Sequence, residues 1–207
     1  MRLVLIAAGV TLIVALNVAI SAWLTRAVTS GLLARDGQVK QQFLTGILAA
    51  EGAAPALFDA PQPSPALSSF SVHVRSLPGI VRANIYSPDG FIRQSTDANL
   101  VGVHFEDNPE LARAFTGRIS TKLEEADGTA KSEHLALNQV AGEALIESYI
   151  PVLDKDGKVA TVVEYYTRDD WIRNTVTPVE RGIWLAAAAS SIILAVMLAL
   201  AMRKRAS

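Results

Sequence analysis

Apolar side chains divide the chain into three parts. Residues 3–24 form a run of 22 whose only polar members are Thr11, Asn17 and Ser21, and residues 183–202 form a run of 20 whose only polar members are Ser190 and Ser191. At about 1.5 Å per helical residue, each run is about as long as the roughly 30 Å hydrocarbon core of a bilayer is thick, so both are predicted to be membrane-spanning helices. The first ends in Trp23; the second is flanked by Trp184 and by Arg203-Lys204-Arg205. Tryptophan belongs at the interface and clustered basic residues on the cytoplasmic side, which places both termini inside and residues 25–181 outside. A cleaved signal peptide, with Ala19 and Ser21 at the cleavage positions, is the alternative for the first run. That run is, however, longer than the roughly 7–15-residue apolar core of such peptides.

Between the runs the period changes twice. Val28, Leu32, Val39, Phe43 and Ile47 recur at helical spacing, so the first helix is predicted to continue out of the membrane to residue 50. Their stripe is expected to face the domain core, with the same helix of a second subunit as the alternative. Gly52, Pro55, Pro61, Pro63 and Pro65 then impose a loop over residues 51–66. A short helix over 66–76 buries Leu67, Phe70, Val74 and Leu77 and stops at Pro78-Gly79. Two strands, 81–86 and 91–96, follow, joined by the turn Ser87-Pro88-Asp89-Gly90, in which proline fixes φ and glycine accepts a positive one. After a turn at 99–102, Asn108 caps a helix over 109–116, Pro109 takes its first position, Glu110 suits its positive end and Gly117 closes it. A third strand is predicted at 118–123, an exposed loop at 124–133 and an extended segment at 134–140. The last two strands, 144–152 and 159–166, are rich in β-branched and aromatic residues and flank Asp154-Lys155-Asp156-Gly157. Pro178 is expected to interrupt any helix over 167–180. The fold class is therefore α+β: about five antiparallel strands preceded by two helices, with a small helix after the second strand.

Charge and chemistry narrow the function. The formal net charge is −1, but all 20 acidic residues lie between Arg26 and Arg181, while Arg2, Arg203, Lys204 and Arg205 lie outside that interval; 15 of the 19 basic residues remain, and the middle carries about −5. Nucleic acid is thereby an improbable partner. Cysteine is absent, which excludes disulfides, thiolate metal sites and cysteine nucleophiles. His73, His104 and His134 have no metal-ligand spacing, and Glu124-Glu125 and Asp169-Asp170 are adjacent pairs rather than convergent ones. With no Ser-His-Asp set, phosphate-binding glycine loop or H-E-x-x-H motif, no enzyme activity, metal or cofactor is predicted. The Arg203-Lys204-Arg205 cluster reads as a stop-transfer signal, with membrane lipid headgroups as a subsidiary partner.

Leu77-Pro78-Gly79-Ile80, the Ser87-Pro88-Asp89-Gly90 hairpin with a strand ending in Ser95, Asn99-Leu100-Val101-Gly102 and Asn108-Pro109-Glu110-Leu111 follow one another in an order that resembles the extracytoplasmic Cache domains, PAS-like sensor modules of bacterial transmembrane receptors. Tyr149-Ile150-Pro151-Val152, Asp156-Gly157-Lys158-Val159 and Val162-Val163-Glu164 match the closing hairpin of the same family, and the likeness covers about residues 38–166. The resemblance implies a PAS-like five-stranded antiparallel sheet on a long N-terminal helix, with a small-molecule pocket on the other face under the loops between strands two and four. It implies a domain order of spanning helix 1–24, periplasmic sensor 25–181, spanning helix 182–202 and basic tail 203–207, in the bacterial inner membrane. In carboxylate-sensing relatives an arginine followed two residues later by serine helps hold the ligand, which makes Arg93 and Ser95 candidates for an organic anion; a surface arginine is the competing reading. Simple alternation places Phe91, Arg93 and Ser95 on one face and Ile92, Gln94 and Thr96 on the other. Tyr86, Tyr149 and Tyr165 either line the pocket or fill the core, and His104 falls in a loop that covers the pocket in relatives. Such domains usually precede a kinase, cyclase or chemoreceptor region, for which residues 203–207 are too short. The chain is expected to act through a separate kinase or output protein, or to be a shortened relative or fragment of a larger receptor. A homodimer is a further expected assembly. The rival function is a protein-interaction subunit of a membrane kinase or transporter that needs no small ligand.

Overall fold

The structure is a computed structural model that describes residues 2–50, 65–105, 108–124, 145–168 and 170–204. Helix α1 spans Arg2–Ala50 and α2 Pro65–Arg75; strands β1 (Ile80–Tyr86) and β2 (Ile92–Ser95) follow, then a 3-10 turn at Ala98–Leu100 and α3 at Pro109–Phe115. Strands β3 (Ser120–Glu124), β4 (Leu145–Leu153) and β5 (Val159–Arg168) complete the sheet, and α4 runs over Asp170–Lys204. The chain divides into two compact units, one within Leu33–Asp169 and the other formed by the segments before and after it.

In the first unit the five strands are antiparallel, as the Cache resemblance implies, and lie in the order β2-β1-β5-β4-β3. Two turns set its register. Gly90, at φ 84°, closes the β1–β2 turn, where Ser87 N donates to Phe91 O at 2.9 Å. In the β4–β5 turn Gly157 sits at φ 76°, and the Asp154 carboxylate accepts from the amides of Asp156 (2.8 Å) and Lys158 (2.9 Å). Helix α3 forms where its capping residues predict: Asn108 accepts from Leu111 N at 2.9 Å and Pro109 occupies the first position.

One face of the sheet packs on helices. Leu44 and Leu48 of α1, with Leu67, Phe70 and Val74 of α2, bury Ala83 and Ile85 of β1, Ile150 and Val152 of β4 and Val163 and Tyr165 of β5. Gln41 donates to Pro151 O at 2.9 Å, and Leu153 N donates to Thr45 Oγ1 at 3.3 Å, which fixes α1 along β4. Gly37 brings α1 onto β3: a Cβ there would lie 2.6 Å from Ile119 Cγ2.

Two expectations are corrected. Val39 and Phe43 of the α1 stripe are 55% and 40% exposed, and the core side is instead Lys40, Leu44 and Leu48, with Ile47 partly buried. Both sides of this helix carry apolar residues at helical spacing, so periodicity alone does not choose between them. Lys40 is buried by pairing with Asp36 at 2.6 Å and lies 5.7 Å from the Tyr165 ring centroid. Pro178 does not interrupt α4, which is continuous through it. A proline removes one helical hydrogen bond, and the turns on either side keep theirs. Of the loops predicted at 51–66 and 124–133, Pro65 and Ala66 instead open α2 and Glu124 ends β3; the remainder of both, and the extended segment at 134–140, lie outside the described residues.

In the second unit the two helices are long and apolar enough to cross a membrane, each with a window of mean hydropathy 2.4.

Candidate sensing face of the sheet

Strand alternation carries a second set of side chains to the face opposite α1 and α2. Cross-strand pairing lines them up in three rows. Ser95, Asn84, Glu164, Tyr149 and Ser120 form one row across all five strands; Arg82, Tyr166, Glu147 and Lys122 form the next. The third, Ile92, Tyr86, Val162 and Pro151, is apolar apart from the tyrosine hydroxyl.

The polar rows are joined by hydrogen bonds. Ser95 Oγ donates to Asn84 Oδ1 at 2.7 Å, Asn84 Nδ2 donates to Glu164 Oε2 at 2.5 Å, and the Tyr86 hydroxyl donates to the same oxygen at 3.0 Å. The Tyr166 hydroxyl stands 2.8 Å from both Glu164 Oε1 and Glu147 Oε1, with one hydrogen for two acceptors. Tyr149 OH donates to Glu147 Oε1 at 3.3 Å and accepts from Asn108 Nδ2 at 2.9 Å, which ties the cap of α3 to the sheet. Lys122 Nζ lies 3.0 Å from Glu147 Oε2 and 3.6 Å from Glu110 Oε1, and the Arg82 guanidinium stacks 4.3 Å from the Tyr166 ring centroid. Glu147 and Glu164 are 0% and 1% exposed. Two buried carboxylates are tolerated here because Lys122 pairs with Glu147 and the hydroxyls of Tyr86, Tyr149 and Tyr166 and the Asn84 amide donate to the pair.

Leu100, Leu111 and Ala114 pack on Tyr86, Ile92, Tyr149 and Val162, with Phe105, Phe115 and Val159 at the margins. The apolar row is therefore roofed by α3 and the 3-10 turn, while the polar rows carry the hydrogen-bonding groups.

Among the residues singled out from sequence, Tyr86, Ser95 and Tyr149 come together in this network. Arg93 and His104 do not. The β1–β2 register, Asn84 with Ser95, Ile85 with Gln94 and Tyr86 with Ile92, contains a bulge in which Arg93 is the extra residue. The bulge resets the alternation, so Ile92 and Ser95 share a face, contrary to the simple two-residue period. Arg93 Nε donates to Ser87 Oγ at 3.0 Å and its Nη2 to Asp89 Oδ2 at 3.1 Å, within its own hairpin. Asp89 also accepts a hydrogen bond from the Ser87 hydroxyl, which, with the Phe91 amide and the Arg93 charge, holds its carboxyl below the ordinary carboxylate range. His104 is exposed, bridges to Phe91 and meets that ring at 5.0 Å between centroids. Tyr165 belongs to the helix-packed face, and burial there pushes its phenol well above the usual range.

Asn84, Glu147, Glu164 and Tyr166 are absent from the sequence-derived candidates, although the sequence carried a signal for three of them. Glu147-Ser148-Tyr149 and Glu164-Tyr165-Tyr166 repeat one spacing, a glutamate two residues before a tyrosine, inside strands that otherwise read as buried. That spacing puts both members on one face, and a carboxylate in a buried strand needs partners.

No protein-family model matches the chain, and no characterised protein matches it in sequence. Solved structures of one class resemble it in chain path: extracellular, ligand-binding receptor domains. An extracellular ligand-binding receptor from Desulfohalobium retbaense is similar over 70% of this chain and 26% of its own, with 16% identity and a TM-score of 0.39. The ligand-binding domain of the Campylobacter jejuni chemoreceptor Tlp3 is similar in complex with 4-methylisoleucine (12% identity, TM-score 0.42, 78% of this chain and 62% of that one). The same domain in complex with L-valine gives 13% identity and a TM-score of 0.40 over 81% and 66% of the two chains. The present chain thus spans between about a quarter and two thirds of the length of these structures.

Proposed function

We propose that this chain is a membrane-anchored sensor that binds a small molecule on the periplasmic side of a bacterial inner membrane and passes the change to its second spanning helix. One observation carries the reading: β5, the central strand that holds Glu164 and Tyr166, ends at Arg168, and the apolar helix α4 begins at Asp170. A shift of that strand reaches the membrane helix through the intervening peptide bonds. The contacts proposed for the ligand are Tyr86, Ser95 and Tyr149 on the sheet and Arg93 and His104 beside the β2 edge. The ligand class is an organic anion such as a carboxylate. Arg93 already holds the carboxylate of Asp89, in a partly exposed pair of the kind worth about 0–1 kcal/mol, so an incoming carboxylate replaces it at little cost. No catalytic step is assigned.

Hydrogen exchange of the full chain in lipid nanodiscs, with and without a panel of carboxylates and amino acids, tests this. Slower exchange in β4 and β5 with one class of compound is expected; unchanged exchange with every member overturns ligand sensing. The second reading, a protein-interaction subunit with no small ligand, is favoured by the filled apolar row beneath α3. It gains if a membrane kinase, rather than any compound, slows the same amides.

A further inference from the structure

The polar residues inside the two apolar runs meet one another. Asn17 Nδ2 donates to Ser191 Oγ at 2.9 Å, and Ser190 Oγ, whose one hydrogen is shared with Ala187 O at 3.0 Å, reaches Asn17 Oδ1 at 3.2 Å, so the donor and acceptor ends of the amide each face a serine of the other helix. Ser191 returns its own hydrogen to Ala187 O at 2.7 Å. A second contact shares this register. A Cβ on Gly9 would stand 2.8 Å from Leu198 Cδ2, so the helices touch closely there. Gly9 is eight residues from Asn17 along α1, and Leu198 is seven from Ser191 along α4, about 12 Å and 10 Å at helical rise. The helices therefore run antiparallel in step between the two contacts.

Hydrocarbon offers no water to replace a lost partner, so an unmatched amide is costly there. Sliding α4 by three residues, about 4.5 Å, takes both hydrogen bonds out of range. Tilting about Asn17 leaves them intact. We infer that Asn17, Ser190 and Ser191 form a fulcrum that locks the axial register of the two membrane helices, so that a displacement entering α4 leaves as a sideways swing of its far end and not as a piston stroke. This rests on the reading of α1 and α4 as spanning helices of a sensor.

The chain has no cysteine of its own, so introduced pairs report without background. Gly9→Cys with Leu198→Cys is the in-register pair, and Gly9→Cys with Ala195→Cys is a pair slid by three residues. In the full chain in native membranes, oxidation is expected to give the in-register disulfide, within one chain, at least tenfold faster than the slid one. Adding Asn17→Leu, or separately Ser190→Ala with Ser191→Ala, is expected to bring the two rates within about threefold. Equal rates with the fulcrum intact, a ratio that neither variant changes, or disulfides only between chains overturn the proposal. The rates are read without ligand, so a chain that senses nothing still shows the locked register. A freely sliding pair refutes the fulcrum and leaves the sensor reading untouched.

Discussion

Replacing Glu164 separates the role of its shape from that of its charge. Glu164 Oε2 accepts from Asn84 Nδ2 and Tyr86 OH, and Oε1 stands 2.8 Å from Tyr166 OH. Glu164→Gln can keep every contact: its carbonyl oxygen takes the two donors, its amide donates to the Tyr166 oxygen, and Tyr166 is then free to donate to Glu147. Glu164→Leu fills a similar volume but removes the acceptor that the Asn84 amide and the Tyr86 hydroxyl share, in a site that is 1% exposed. At about 1–3 kcal/mol for each buried donor that loses its acceptor, the leucine variant should lose about 3 kcal/mol, and the glutamine variant no more than about 1 kcal/mol. The assay must report on the sheet. Trp23, Trp171 and Trp184 all lie in α1 and α4, so tryptophan fluorescence follows the wrong unit, whereas all four tyrosines are buried in the sheet. Amide exchange of β4 and β5 follows it directly, and a 3 kcal/mol loss speeds exchange on the order of 100-fold. If Glu164→Leu exchanges within fivefold of the parent, or Glu164→Gln is equally damaging, the network described here is not what holds that face.

Four further outcomes follow from packing and charge. Gly37→Ala should destabilise the sheet unit by about 1–3 kcal/mol, because its Cβ lands 2.6 Å from Ile119 Cγ2; the midpoint of chemical unfolding read by exchange of β3 and β4 checks this. Leu44→Ala, at a fully buried position, should cost about 2–5 kcal/mol in the same assay, whereas Phe43→Ser, on the outward side of the same helix, should change it by no more than about 0.5 kcal/mol in a monomer. A larger loss at Phe43 marks a second subunit on that side. Asp89 has its folded pKa depressed below 3.8, so its contribution is present above that pH and is lost as pH falls through the lower folded value. Its side chain is 52% exposed, which limits the effect to about 0.5 kcal/mol, and Ser87→Ala, which removes the largest cause and leaves the Phe91 amide and the Arg93 charge, should reduce the difference between acid titrations of parent and Asp89→Asn.

The sheet was legible in the sequence because its turns are chemically specified. Asp-Gly turns at 89–90 and 156–157 and the Asn108-Pro109 cap fix where elements start and stop, and observed strand ends fall within about two residues of those predicted. What escaped depends on three-dimensional pairing. A single bulged residue, Arg93, turns Ile92 and Ser95 to one side, and nothing local in Phe91-Ile92-Arg93-Gln94-Ser95 marks where the extra residue falls. The inward side of α1 was misjudged because Lys40 is a core residue only by virtue of Asp36 one turn before it. The polar network was half visible: Tyr86 and Tyr149 stood out by residue type and Ser95 through the family resemblance, but Glu147 and Glu164 gain their meaning from strands about 17 residues apart meeting across a shared tyrosine.

The central claim, that the sheet lies across the membrane from the chain's ends, is open to direct measurement in this cysteine-free protein. A membrane-impermeant maleimide applied to intact spheroplasts should label Lys155→Cys, at the exposed β4–β5 turn, and should label Ser207→Cys only after the membrane is opened. Labelling of position 207 with protection of position 155 would contradict the account.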